Sequence, residues 1–113
     1  MKDTFLNALK RRRSQYALGP NVQLSPAEIQ ALVTETLRHT PSAFHSQSSR
    51  AVLLFGQESE QLWQLIEDHL RAIAPAENFA ATEDKLRGFA AGAGTLLFFE
   101  AQQVVEALQK RYA

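Results

Sequence analysis

The chain has 113 residues, 45% hydrophobic and 21% charged, the balance of a globular domain rather than a disordered tail. Twelve lysines and arginines match twelve aspartates and glutamates, which leaves no basic excess for a nucleic-acid binder. Cysteine is absent, excluding a disulfide framework, a thiolate metal site and a cysteine nucleophile, and no apolar run nears the ~18 residues of a membrane span.

The N-terminal stretch MKDTFLNALKRRR places its basic cluster after its apolar residues, the reverse of a secretory signal. A cytoplasmic protein with one domain over residues 1–113 is therefore expected. Phe5, Leu6 and Leu9 predict a first helix, opened by Asp3 or Thr4 and closed around the arginine run. Residues 16–24 contain Gly19-Pro20-Asn21 and read as a loop. Ser25-Pro26-Ala27-Glu28 then carries a strong helix start: a capping serine, a proline in the first turn, and a glutamate that completes a capping box. Ile29, Leu32, Val33, Thr36 and Leu37 share one face of that helix, which ends near His39 because Pro41 pushes Thr40 out of the helical region.

An eleven-residue polar connector, TPSAFHSQSSR from Thr40 to Arg50, leads into a predicted strand at 51–55. A helix over about 58–73 follows, with Leu62, Leu65, Ile66, Leu70 and Ile73 on one side, and Pro75 stops it. Residues 76–91 predict another helix with Phe79, Leu86 and Phe89 spaced for burial, broken by Gly92-Ala93-Gly94. A second strand at 95–99 and a helix over 101–112 complete the chain. The class is α+β with two strands, and two strands rarely hold a sheet alone. The sheet reads as unfinished, with apolar edges that invite pairing with other chains.

Two segments could carry chemistry. Arg11-Arg12-Arg13-Ser14 offers forked cations and a hydroxyl suited to phosphate oxygens; the plainer reading is cations complementing the C-terminal end of a helix dipole. The connector offers Ser42, Ser46, Gln47, Ser48 and Ser49 as donors and acceptors for a polar ring edge; the plainer reading is a self-bonded turn. His39, His45 and His69 show neither metal-ligand spacing nor an acidic neighbour, so no metal is expected. No serine sits in a GxSxG elbow, and neither GxGxxG nor a P-loop occurs. Trp63 reads as core.

In order and spacing, Arg12-Arg13-Ser14, the capped helix and Pro41-Ser42-Ala43-Phe44-His45-Ser46-Gln47 resemble the N-terminal half of the FMN-dependent nitroreductase family. The forms RRRSQYAL, HTPSAFHSQSSR and FAATEDKLRGFAAGAGTLLFFE resemble a branch of small nitroreductase-like proteins, and the likeness spans nearly the whole chain. The resemblance implies helices around a central, mostly antiparallel sheet, of which only the N-terminal part is expected here. It also implies a homodimeric flavoprotein passing hydride from NAD(P)H through FMN to nitroaromatics, quinones or similar acceptors, with no membrane or nucleic-acid partner. By that likeness Arg12, Arg13 and Ser14 contact the FMN phosphate and ribityl chain. Pro41, Ser42, Ala43 and His45 lie against the flavin ring of the partner subunit. His45 replaces the family's asparagine, and Tyr16 stands within the cofactor segment where a second basic residue is frequent. The competing expectation is a non-catalytic α+β interaction module that keeps the scaffold without a working flavin site. The arginine run, which a pure scaffold does not need, separates the two.

Overall fold

The computed structural model describes all 113 residues. Seven elements follow in the predicted order: α1 (Lys2–Arg11), α2 (Pro26–His39), β1 (Ser49–Phe55), α3 (Gln57–Ile73), α4 (Phe79–Ala90), β2 (Gly94–Glu100) and α5 (Gln102–Tyr112). Short 3-10 turns occupy Ala43–His45 and Ala76–Asn78. No helix is long and apolar enough to cross a membrane.

The two strands pair antiparallel, with Phe55 opposite Gly94 at one end and Ser49 opposite Glu100 at the other. Both strands outrun their apolar cores at the same end of the ladder. Main-chain pairing, not hydrophobicity, decides where a strand stops, and the polar pair Ser49–Glu100 is still hydrogen-bonding territory. At the opposite end Gly94 is required by space: a Cβ there would stand 2.6 Å from the Leu54 carbonyl oxygen. Gly56 turns the chain from β1 into α3 at φ 54°, ψ −128°, a region that residues with a Cβ avoid.

The capping box forms as expected. Ser25 N–H donates to Glu28 Oε2 at 2.7 Å, and Glu28 N–H donates to Ser25 Oγ at 3.2 Å. The first helix differs from expectation: it begins at Lys2 with no side-chain cap, leaving Asp3 in the first turn where its charge meets the helix dipole. The predicted helix at 76 also divides. Asn78 sits at φ −114°, ψ 5°, so Ala76–Asn78 forms a separate 3-10 turn and the α-helical ladder starts at Phe79.

The core lies between α3, α4 and the sheet. Phe79 and Leu86 are its two buried apolar side chains. Arg71 lies 4.5 Å above the Phe79 ring and pairs with Glu67 of its own helix at 2.6 Å, and it approaches Glu83 of α4 at 3.7 Å. The face of α3 is rotated from the predicted one. Ser59, Trp63 and the predicted Leu62, Ile66 and Leu70 make the inward arc, while Leu65 falls on the far side and Ile73 at the helix end, 67% and 68% exposed. Trp63 is half-buried and tilted against Phe89 at 5.3 Å.

Little else is enclosed. Every residue of α1 is exposed, Leu32 of α2 is 59% exposed, and Phe98 and Phe99 of β2 stand open. The radius of gyration is 17.9 Å, against about 13 Å for a compact chain of this length. The accessible surface is 9558 Å², against about 6,200 Å² for a compact monomer of this mass. The elements are in place, and their apolar faces are not closed over.

Candidate functional site

The polar connector between α2 and β1 is the most constrained backbone in the molecule. Phe44, His45 and Gln47 all have φ between 51° and 54°, three left-handed residues within four positions. That region costs a non-glycine residue about 1–3 kcal/mol, and it survives only where surrounding bonds enforce it. Those bonds are present. His45 N–H donates to Ser42 O, Ser46 N–H to Ala43 O, and Gln47 N–H to Ser42 Oγ, each at 3.0 Å. Asparagine and histidine tolerate the left-handed region better than most residues, so His45 suits the backbone at the position where an asparagine stands in the resemblance.

The exit of the connector is anchored to the end of β2. The Ser48 side chain, 7% exposed, donates its hydroxyl to the Glu100 carboxylate. Ala101 N–H donates to Ser48 O at 2.7 Å, one step beyond the Ser49–Glu100 pair. Pro41, Ser42 and Ala43 line a groove of about 450 Å³ with Ser46, Ser48 and Glu100 on one side and Val105 and Leu108 of α5 on the other. Phe44 leaves this groove and stacks on Tyr112, ring centroids 4.6 Å apart.

The arginine segment is arranged differently. Arg13 turns its guanidinium back on the end of α1, donating to Lys10 O at 2.7 Å and Arg12 O at 2.8 Å. Arg11 and Arg12 make no side-chain hydrogen bond or ion pair and stay exposed. Ser14 and Tyr16 are also exposed, and Tyr16 O accepts from Leu18 N–H. A second groove at the end of α1 is lined by Thr4, Asn7, Lys10 and Arg11. None of the main grooves of the chain is lined by both Arg12–Ser14 and Pro41–His45.

Glu100 escaped the reading of the sequence, although a lone carboxylate closing the run LLFF is a visible signal. Placing it requires the strand register, which sets it opposite Ser49. One expectation about the histidines is corrected: His39 Nε2 lies 3.0 Å from Glu35 Oε1, because residues four apart share a helix face. That pair is exposed at both partners.

The donors of the two segments have the chemistry that a phosphate and a polar ring edge would take. Arg11 and Arg12 are uncompensated cations. Ser42 uses its oxygen as an acceptor toward Gln47 and keeps its hydroxyl hydrogen free. The family model for the Nitroreductase family matches residues 9–112. The chain belongs to the nitroreductase family. Among curated proteins, this nitroreductase-family chain is 31% identical over 108 residues to "Putative nitroreductase HBN1" of Saccharomyces cerevisiae, covering 94% of the chain and 53% of the relative. Among solved structures it resembles nitroreductase CinD from Lactococcus lactis in complex with chloramphenicol, at TM-score 0.79 and 38% identity over 96% of this chain and 53% of that one. A nitroreductase from Saccharomyces cerevisiae superposes at TM-score 0.77 and 26% identity, covering 99% and 61%. The chain spans about half the length of the curated relatives it matches. The nitroreductase fold predicted from the sequence is thus the observed one.

Proposed function

We propose that residues 1–113 act as one unit of a nitroreductase-type, FMN-dependent oxidoreductase that takes hydride from NAD(P)H and reduces nitroaromatic, quinone or similar acceptors. The observation that carries this reading is the strained connector, left-handed at Phe44, His45 and Gln47, in a member of the nitroreductase family. Such strain concentrates at ligand clamps. FMN, when bound, supplies the hydride chemistry; the protein supplies binding, orientation and electrostatics. Arg12 is assigned to the phosphate, with Arg13 and Ser14 beside it toward the ribityl chain and Tyr16 flanking them. Pro41, Ser42, Ala43 and His45 are assigned to the ring.

Because these two groups line no shared groove in one chain, the assignment places them in one site across a homodimer, with the ring-side loop contributed by the partner. The excess accessible surface and the open apolar faces support such an assembly. CinD is described in complex with chloramphenicol and with 4-nitrophenol, both nitroaromatic compounds, which supports that acceptor class here.

The alternative reading, a scaffold without a working flavin site, is favoured by one observation: the Arg13 guanidinium is already occupied by α1 carbonyls. Adding FMN to the protein and then NADH or NADPH anaerobically separates the readings. A protein-bound flavin band that bleaches on addition of reductant is expected, and a flavin that stays free in solution would leave the scaffold reading.

A further inference from the structure

Glu100 has no lysine, arginine or histidine partner; its carboxylate meets hydroxyls instead. Ser48 Oγ donates to Oε2, and Ser49 Oγ lies 3.4 Å from Oε1. Arg50, next to Ser49 along β1, spends its guanidinium on Gln47 O at 2.9 Å and Ser49 O at 3.0 Å. Ser46 Oγ lies 3.4 Å from Ser48 Oγ, so the contact continues into the connector. The bonds inside residues 42–47 tie the loop to itself. Outside the segment, Phe44 stacks on Tyr112 and Arg50 donates to Gln47 O. The link to the end of β2 runs through Ser48, by its main-chain oxygen to Ala101 N–H and by its side chain to Glu100.

We propose that Glu100 is the positioning residue of the connector: through Ser48 it holds the 42–48 segment, with its left-handed residues Phe44, His45 and Gln47, in place and so sets where Ser42 and His45 stand. The two hydroxyls meet different oxygens of one carboxylate, Ser48 at Oε2 and Ser49 at Oε1. A charged acceptor also strengthens each bond relative to a neutral one. Its place at the last position of β2 ties it to the sheet ladder opposite Ser49. That Ser42 and His45 face a flavin ring rests on the functional reading above; the hold exerted by Glu100 does not.

Amide hydrogen exchange tests the hold directly, in the wild type and in Glu100→Ala, Glu100→Gln, Ser48→Ala and the Glu100→Ala/Ser48→Ala pair. Loss of a hydrogen bond to a charged group raises local opening by about tenfold or more. Glu100→Ala is therefore expected to speed exchange at the Gln47 and Ala101 amides by that factor while amides of α3 and α4 keep their rates. Glu100→Gln, which retains one acceptor oxygen, is expected to restore most of the protection. In the Ser48→Ala background Glu100→Ala should add little. With flavin present, Glu100→Ala should weaken FMN and riboflavin by the same factor, since a displaced ring-side loop touches what the two share. Unchanged exchange at Gln47 in Glu100→Ala, or the same acceleration with Ser48 already removed, overturns the proposal. If Gln47 is freed as expected but the wild type takes up neither flavin, the hold stands and the flavin reading fails.

Discussion

Trp63 Nε1 donates to Thr95 Oγ1 at 2.9 Å, and Ser59 Oγ lies 2.7 Å from the same oxygen. One hydroxyl on β2 thereby satisfies two polar side chains of α3, and Ser59 is only 3% exposed. Thr95→Val keeps the shape and removes both partners at once. Leaving a buried polar group unpaired costs about 1–3 kcal/mol, so Thr95→Val is expected to destabilise by that order in urea unfolding. Thr95→Ser, which keeps the hydroxyl, should recover most of it. Equal losses for the two variants would show that the hydroxyl is not what matters.

Gly94 and Gly88 make a matched pair. At Gly94 a new Cβ meets the Leu54 carbonyl oxygen at 2.6 Å, an atom held in the ladder, whereas at Gly88 it meets nothing within 4 Å. Gly94→Ala is expected to lower stability by about 1–3 kcal/mol through overpacking. Gly88→Ala, inside α4, is expected to raise it by about 0.5–1 kcal/mol through helix propensity. Thermal unfolding of the two variants should shift in opposite directions.

Glu28 has its carboxyl held below the ordinary value of 4.5, first by the main-chain N–H of Ser25 and then by the Ser25 hydroxyl. A carboxyl lowered on folding adds stability above its unfolded value and loses it as pH falls through the folded one. Protection of the first turn of α2 should therefore be steady above pH 4.5 and decline below it. Glu28→Gln should flatten that acid limb while Ser25→Ala lowers protection across the range. An unaltered acid limb in Glu28→Gln would assign the effect to another carboxylate. NMR-detected amide exchange across α2 supplies the measurement.

Helix α2 was legible because a cap, a proline stop and a spaced apolar face all agree, α3 by its apolar spacing and the stop at Pro75, and α5 by its apolar spacing alone. The strand cores were legible as unbroken apolar runs, but their ends were not, since Ser49, Arg50 and Glu100 join the ladder by main-chain pairing. The rotation of α3 was invisible for a related reason: Ser59 and Trp63 turn inward because Thr95 offers them a hydroxyl, and apolar periodicity carries no record of that. At the candidate site, the connector stood out by its length and polarity. Its anchor at Glu100 is a contact across 52 positions, which local patterning does not encode, and its left-handed residues fall on no glycine that would mark them.

The open faces lead to a further expectation. Phe98, Phe99, Leu65 and Phe5 are each more than half exposed, and the sheet has two unpaired edges. Sedimentation velocity on the 113-residue chain is expected to show self-association that grows with concentration. A monodisperse monomer across that range would contradict the assembly on which the composite site depends.

The most direct test compares FMN with riboflavin, which lacks the phosphate, in equilibrium titrations of the wild type and of Arg12→Ala/Arg13→Ala. A charge-assisted hydrogen bond contributes about 1.5–3 kcal/mol, and Arg12, free of any partner in the chain, should carry more of the effect than Arg13. The account predicts that the wild type prefers FMN to riboflavin and that the double variant loses this preference while keeping its riboflavin affinity. Equal losses for both flavins, or a preference for FMN that survives the double substitution, would contradict it.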